Sequence, residues 1–215
     1  MDKNTQWFNK LHAEKVIEGL RKNNMEGYFV NDETELLNKV KELTKENSTV
    51  AVGGSMTLFE TGIIDFLRCG KFNFLDRYKE GLTASEIKEV FKKSFFADYY
   101  FTSTNAVTEN GELYNIDGNG NGNRVAAMLY GPENVIIIIG INKIVKNLQQ
   151  AENRAKEIAS PINAKRLMRN TPCTKDGNCF DCKSEERICN DYVIIKRQAV
   201  RGRIRVIIVN KELGY

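Results

Sequence analysis

YGPENVIIIIGINKIV, residues 130–145, is the stretch that decides the fold. Its centre, Val135 to Ile139, is an unbroken β-branched run, as expected of a strand covered on both faces. The segments around it alternate between helical and strand signals. Asp2 to Asn24 carries Phe8, Leu11, Val16, Ile17 and Leu20 on a helical stripe. Tyr28 to Val30 reads as a strand. Asp32 and Glu35 have capping-box spacing ahead of Leu36, Leu37, Val40 and Leu43. Thr49 to Val52 is a buried strand that stops at Gly53-Gly54. Thr57 to Cys69 reads as helix around Gly62, and Phe72 to Leu75 as strand. Thr83 and Glu86 open a further helix to Phe95, followed by strands at Asp98 to Thr102 and Leu113 to Ile116. Leu148 to Ala159 is helical, and Ser160-Pro161 starts another helical segment, because Pro suits a first helical turn. This order predicts an α/β fold: a mostly parallel sheet with helices on both faces.

After Asn170 the texture changes. A cysteine-rich loop is followed by two strand-like runs, Tyr192 to Lys196 and Arg203 to Val209, which either pair as a hairpin or add to the sheet edge. The expected division is an α/β domain over residues 1–170, with its N-terminal helix. Residues 171–215 then form the Cys-rich loop and C-terminal strands, packed on that same domain.

Composition fits a globular chain of 215 residues, 41% hydrophobic and 28% charged. The run at Val135 to Ile139 is too short to cross a bilayer, so no membrane association is expected. The start, MDKNTQWFNK, lacks the apolar core of a signal peptide. With five cysteines, an odd number, a cytoplasmic, reducing location is expected and disulfides are disfavoured. The net charge is +4, with basic clusters at Lys165, Arg166 and Arg169 and at Lys196, Arg197, Arg201, Arg203 and Arg205. These are either solvated faces or attractors of a small anionic metabolite or a partner protein. No aromatic-rich basic motif accompanies them, which excludes nucleic acid from the expected partners.

Four places carry chemistry. The Gly53-Gly54 pair, with Ser55 and Thr57, follows a buried strand and precedes a helix. Backbone N–H groups and hydroxyls there can meet an anion, or the segment is a tight turn capped by Ser55. Thr102 to Gly111 gathers Thr104, Asn105 and Glu109 after the next strand, at the carboxyl edge of the sheet. Glu109 there can serve as base or nucleophile, and Asn110-Gly111 is a hairpin turn compatible with presenting it. The Gly/Asn loop at residues 119–124 can close over a phosphate or carboxylate with Asn123 and Arg124, or be a bare loop. Finally Cys173, Cys179, Cys182 and Cys189 have the spacing C-x5-C-x2-C-x6-C, which matches neither a ferredoxin run nor a zinc ribbon. Four thiols in so short a span suit Zn²⁺ or an iron–sulfur cluster. His12 reads as a surface residue, Trp7 and Phe8 as packing anchors, and Cys69 as a small buried hydrophobe.

Taken together, GGSMTLFETG (53–62), FTSTNAVTENGELYNIDGNGNGNRVAAMLYGP (101–132), YGPENVIIIIGINKIV (130–145) and ASPINAKRL (159–167) resemble the lactate-utilisation (LUD) domain family, in particular its lactate utilisation protein C branch. The resemblance implies a Rossmann-like fold related to the sugar-phosphate isomerases and CoA transferases. Gly53 to Thr57 is similar to the phosphate-binding turn of those isomerases. Thr108-Glu109-Asn110-Gly111 is similar to the S-E-N-G signature of class I CoA transferases, in which the Glu is the nucleophile; here Thr stands in place of Ser. The family implies a role in oxidising lactate-type organic acids beside an iron–sulfur redox partner protein. An accessory or regulatory subunit and a homo-oligomer both stay open. The chain departs from the C branch in carrying its own cysteine cluster.

Overall fold

Two sheets organise the chain in a computed structural model that describes residues 2–118 and 124–215. The strands are β1 (Glu26–Val30), β2 (Thr49–Val52), β3 (Asn73–Leu75), β4 (Tyr99–Thr102), β5 (Ala106–Thr108), β6 (Leu113–Asp117), β7 (Asn134–Gly140), β8 (Ile144–Val145), β9 (Asp191–Ile195) and β10 (Ile204–Val209). The larger sheet has six strands in the order β1-β10-β7-β4-β2-β3, and every pairing in it is parallel. The fold is therefore the expected Rossmann-like α/β architecture.

The run that decides the fold behaves as its sequence demands. In β7 Val135, Ile137 and Ile139 face one hydrophobic core, and Ile136 and Ile138 face the other, all fully buried. Successive side chains of a strand point to opposite faces, so a strand with apolar residues at both parities needs a layer on each side. On one side lies α1 (Lys3–Lys22), which contributes Ala13, Val16 and Leu20. On the other lie α2 (Glu33–Leu43), α3 (Met56–Glu60) and α4 (Ile63–Leu67), contributing Leu36, Val40, Leu58, Ile63 and Ile64. Gly62, at φ 69°, separates α3 from α4, so the single helix expected over 57–69 is two short ones.

Two helix starts follow their sequence signals. Asp32 accepts from the Glu35 N–H, while the Glu35 carboxylate turns back to the Asn31 N–H. Thr83 and Glu86 form a complete capping box at the start of α5 (Ala84–Lys93). Beyond α6 (Arg124–Leu129), α7 (Leu148–Arg154) continues through a π turn at Ala155–Ala159 into α8 (Ser160–Arg166). Pro161 has no N–H for the α ladder, and the Ser160 hydroxyl donates to the Ala155 carbonyl across the widened turn. The helical segments on either side of Ser160 are thus one continuous rod. A last turn, α9 (Cys173–Asp176), opens the cysteine loop.

The two C-terminal strands part company. β9 lies at the edge of the smaller sheet, in the order β8-β5-β6-β9, antiparallel to β6. β10 inserts between β1 and β7 in the middle of the larger sheet. Neither the hairpin nor an edge position for the last strand is realised. The reason is composition: Ile204, Val206, Ile207, Ile208 and Val209 are all buried, which an edge could not provide.

Three further expectations are corrected. Trp7 and Phe8 lie on the outer face of α1, 62% and 53% exposed, and anchor no core. Cys69 is exposed rather than buried. His12 is half-covered and pairs with Glu109 across the seam between α1 and the β5–β6 turn.

Candidate functional site

The chain runs from β2 to β3 on one side and then returns through α5 to β4 on the other side of β2. The loops leaving β2 and β4 therefore diverge, and a crevice opens between their carboxyl ends, the place where open α/β sheets bind ligands. A cleft of ≈ 590 Å³ occupies this position, a size common for small-molecule sites. Gly54 and Ser55 border it from the loop after β2, and Ser103, Thr104 and Asn105 from the loop after β4. The far wall comes from α8 and from the cysteine loop, through Glu185 to Ile188 and Asn190.

Charge is the dominant property of this lining. Arg77, Arg124, Arg166, Arg169 and Arg187, with Lys143, face Asp117, Glu185 and Glu186, so arginines outnumber carboxylates five to three. The Arg77 guanidinium rests 4.3 Å above the Phe91 ring, which holds it flat at the rim.

The glycine turn is shaped by close approach. A Cβ on Gly53 would stand 2.8 Å from both Thr102 Oγ1 and Tyr100 Oη, so only glycine fits beneath Arg124. Gly54, by contrast, borders the cleft, and a Cβ there would make only ordinary contacts, 4.0 Å from Arg77 Nη1 and Tyr78 Oη. Ser55 occupies the cap position of α3 but makes no capping bond, and its buried Oγ has no partner. Capping by Ser55, one of the two expected roles of this turn, does not occur. Thr57 is fully buried one turn on, and its Oγ1 accepts a hydrogen bond from Lys143.

Arg124 holds the loop after β4 in place. Its Nη1 donates to Ser103 O at 3.2 Å and Asn115 Oδ1 at 2.9 Å, and its Nη2 to Asn105 Oδ1 at 3.1 Å and Ile116 O at 2.6 Å. Asp117 stands 3.8 Å from its Nε. A planar five-donor fork suits this kind of bracing. Thr104 Oγ1 is tied inward to Tyr114 O and Asn115 Oδ1, and Asn105 Oδ1 also accepts from the Ile116 N–H. From the other side Arg154 Nη1 donates to Asn105 O at 2.6 Å. Thr104, Asn105 and Arg124 are thus brought together at the cleft floor, with most of their polar atoms committed to shaping it. Asn123 lies outside the described residues.

Lys143 is a functional candidate that the sequence reading missed. It follows β7 in a short turn, 2% exposed, with Nζ 3.1 Å from Thr57 Oγ1 and 3.0 Å from Ser103 Oγ. Burial pushes its ammonium down to about 7, and the nearby Arg154 and Arg124 push in the same direction against the weaker pull of Glu60. The available signal was its place: a lysine just past a doubly covered strand falls on the carboxyl edge of the sheet.

Glu109 is elsewhere. It caps the β5–β6 turn with its carboxylate 3.0 Å from His12 Nδ1 and 3.5 Å from Lys15 Nζ, and among the described residues it does not border the cleft. Gly111, at φ 78°, makes this turn, and a Cβ on it would stand 2.3 Å from backbone atoms of Gly19 and Leu20. The hairpin expected at Asn110-Gly111 is therefore present and pressed onto α1.

The four cysteines surround one loop. Arg187 gathers it, donating to the carbonyls of Cys189 and Cys182 and to Asp181. Hydrogen bonds from Ser184 lower the Cys182 thiol. Burial raises that of Cys189, and the other three thiols add to the rise while Arg187 opposes it. The donor set is chemically right for Zn²⁺ or iron–sulfur chemistry. As placed, however, it does not fit: among the described residues no group of three or more His, Cys, Asp or Glu side chains is arranged to hold a metal ion.

The sequence signature of the LUD domain matches residues 13–209. The chain belongs to the LUD domain family. A crystal structure of a DUF162 family protein from Deinococcus radiodurans superposes with a TM-score of 0.53 at 15% identity, covering 94% of this chain and 98% of that one. At that identity the likeness shows the fold alone. No curated protein matches the chain. Among the described residues no helix is long and apolar enough to cross a membrane.

Proposed function

We propose that the cleft between the loops after β2 and β4 binds a small organic acid of the lactate type, and that this LUD domain serves its utilisation beside an iron–sulfur redox partner protein. The observation that supports this reading is the excess of five arginines over three carboxylates around a cleft at the sheet's switch point. Carboxylate and phosphate are the groups such a lining recognises, through charge-assisted and bidentate hydrogen bonds. The acid enters against Arg77 and Arg166 at the rim, and Ser103 and Lys143 meet it at the floor. Glu109 takes no part, because it lies outside the cleft. Thermal unfolding of the purified chain with lactate, pyruvate or inorganic phosphate tests the reading. A rise in Tm with one of the organic acids, weakened by added salt, is expected; no rise with any of the three counts against it.

A second reading concerns the cysteine loop, and the donor chemistry of Cys173, Cys179, Cys182 and Cys189 on one short loop supports it. In this reading the loop closes on Zn²⁺ or an iron–sulfur cluster once the thiols converge from their present placement. The loop walls the cleft through Glu185 to Ile188, so its closure would firm that wall.

A further inference from the structure

Among the described residues Lys143 alone of the lysines is buried. A buried ammonium ordinarily sits against a carboxylate, because an unpaired charge away from water is costly. Lys143 has two hydroxyls instead, Thr57 Oγ1 and Ser103 Oγ, and among the described residues no carboxylate lies within ion-pair distance. Glu60 acts on it only from afar, while Arg154 and Arg124 stand on the cationic side. Gly214 packs over the same spot: a Cβ there would meet Thr57 Oγ1 at 2.6 Å and Lys143 Nζ at 3.4 Å. The amine is thus fixed by two hydroxyl contacts, shielded on one flank, and open to an arginine-lined cleft.

A neutral amine can donate one N–H to each hydroxyl and keep its lone pair for a ligand. Desolvation beside other cations is a recognised way to hold a lysine in its nucleophilic form. Arg77 and Arg166, which border the same cleft, are suited to hold the carboxylate of an incoming acid.

We infer that Lys143 is the amine that condenses with the carbonyl carbon of a 2-oxo acid held in the cleft. The inference rests on the anion-binding reading above and narrows it to acids that carry a carbonyl beside the carboxylate. The Nζ lone pair forms the new C–N bond as the carbonyl π pair moves to oxygen. The two amine protons leave with that oxygen as one water, relayed through the Ser103 or Thr57 hydroxyl, and the product is an imine that takes a proton from solvent to become the iminium. No oxidant or reductant is consumed. A 2-hydroxy acid has no such carbon, so lactate binds only by its charge.

Borohydride trapping tests this on the full chain. Protein is incubated with sodium pyruvate at neutral pH, reduced with borohydride, digested and mapped by mass, with calorimetric titration of pyruvate run in parallel. The expected result is a reduced pyruvyl adduct on the peptide containing Lys143. It should exceed adducts on surface lysines by roughly a thousandfold, the ratio of neutral fractions at pH 7 set by the depressed ammonium. It should also be absent from Lys143→Met. Pyruvate binding without an adduct on Lys143, or with adducts only on exposed lysines, overturns the inference and leaves the anion cleft standing. No pyruvate binding overturns this inference, and no binding of lactate titrated alongside it overturns the anion-binding reading as well. Mapping the wild-type chain keeps the test decisive even if the variant misfolds.

Discussion

Lys143 Nζ lies 3.0 Å from Ser103 Oγ, joining the turn after β7 to the loop after β4. Neighbouring parallel strands bring these two segments together at their carboxyl ends, and Thr57 from the start of α3 completes the contact. The floor of the cleft is therefore set by the sheet itself, with Arg124 and Arg154 fixing the loop that carries Ser103 and Asn105.

The depressed Lys143 ammonium makes stability depend on pH. Its folded value, about 7, lies below the ordinary 10.5, so between those limits the unfolded chain binds more protons than the folded one. Stability from this group rises with pH across that window and falls as pH drops through 7, by at most roughly 1.4 kcal/mol per unit. Urea unfolding of wild type and Lys143→Met from pH 6.5 to 9.5 measures the difference. The gap between the two proteins should move in favour of wild type as pH rises; a constant gap would show an ammonium with its ordinary affinity for protons.

Gly111 and Gly19 set how closely the β5–β6 turn meets α1. Gly111→Ala places a Cβ at φ 78° and 2.3 Å from the Gly19 backbone. A loss of roughly 2–4 kcal/mol follows from left-handed strain plus overpacking. Denaturant unfolding reads it, and a loss under about 0.5 kcal/mol, the range of neutral surface changes, would mean that the contact is far looser.

Glu109 pairs with His12 at a half-covered site outside the cleft. Glu109→Gln should leave organic-acid binding unchanged and lower stability by less than about 1 kcal/mol, as partly exposed ion pairs do. If the substitution instead abolishes binding or turnover, Glu109 belongs to the site and the cleft has been drawn too narrowly.

The cysteine loop makes a prediction of its own. In the reading in which the four thiols converge on a metal, protein purified without oxygen carries iron with matching sulfide, or zinc, and Cys182→Ser lowers the metal per chain while far-ultraviolet circular dichroism stays the same. Equal metal in variant and wild type would release Cys182 from the ligand set. A metal-free wild type would leave Arg187 as what holds the loop.

How legible this was depends on length and parity. β7 and β10 announce themselves because Val135 to Ile139 and Ile204 to Val209 are apolar on both faces. β5 and β8 have three and two residues, too few for any period to show, so the smaller sheet was legible only through β6 and β9 and its pairing could not be read. The cleft's two loops were readable, since Gly53-Gly54 and Thr104-Asn105 each follow a strand. The roles of their side chains were not, because Arg124 and Thr104 look the same in sequence whether they grip a ligand or the backbone. His12 and Glu109 are far apart in the chain, and only the packing of Gly19 on Gly111 brings them together.

Calorimetric titration of pyruvate into wild type and Arg166→Gln tests the central claim most directly. Arg166 borders the cleft and bonds Asn163 on α8 and the side chain of Tyr215, not the Ser103, Asn105 and Lys143 groups of the floor, so its loss leaves that floor intact. Saturable binding in wild type is predicted, weakened about tenfold in the variant, as expected for one charge-assisted hydrogen bond, and weakened in both proteins by rising salt. No heat of binding in wild type from pyruvate or from lactate titrated alongside it, or equal pyruvate affinity in the two proteins, would contradict an anion site in this cleft.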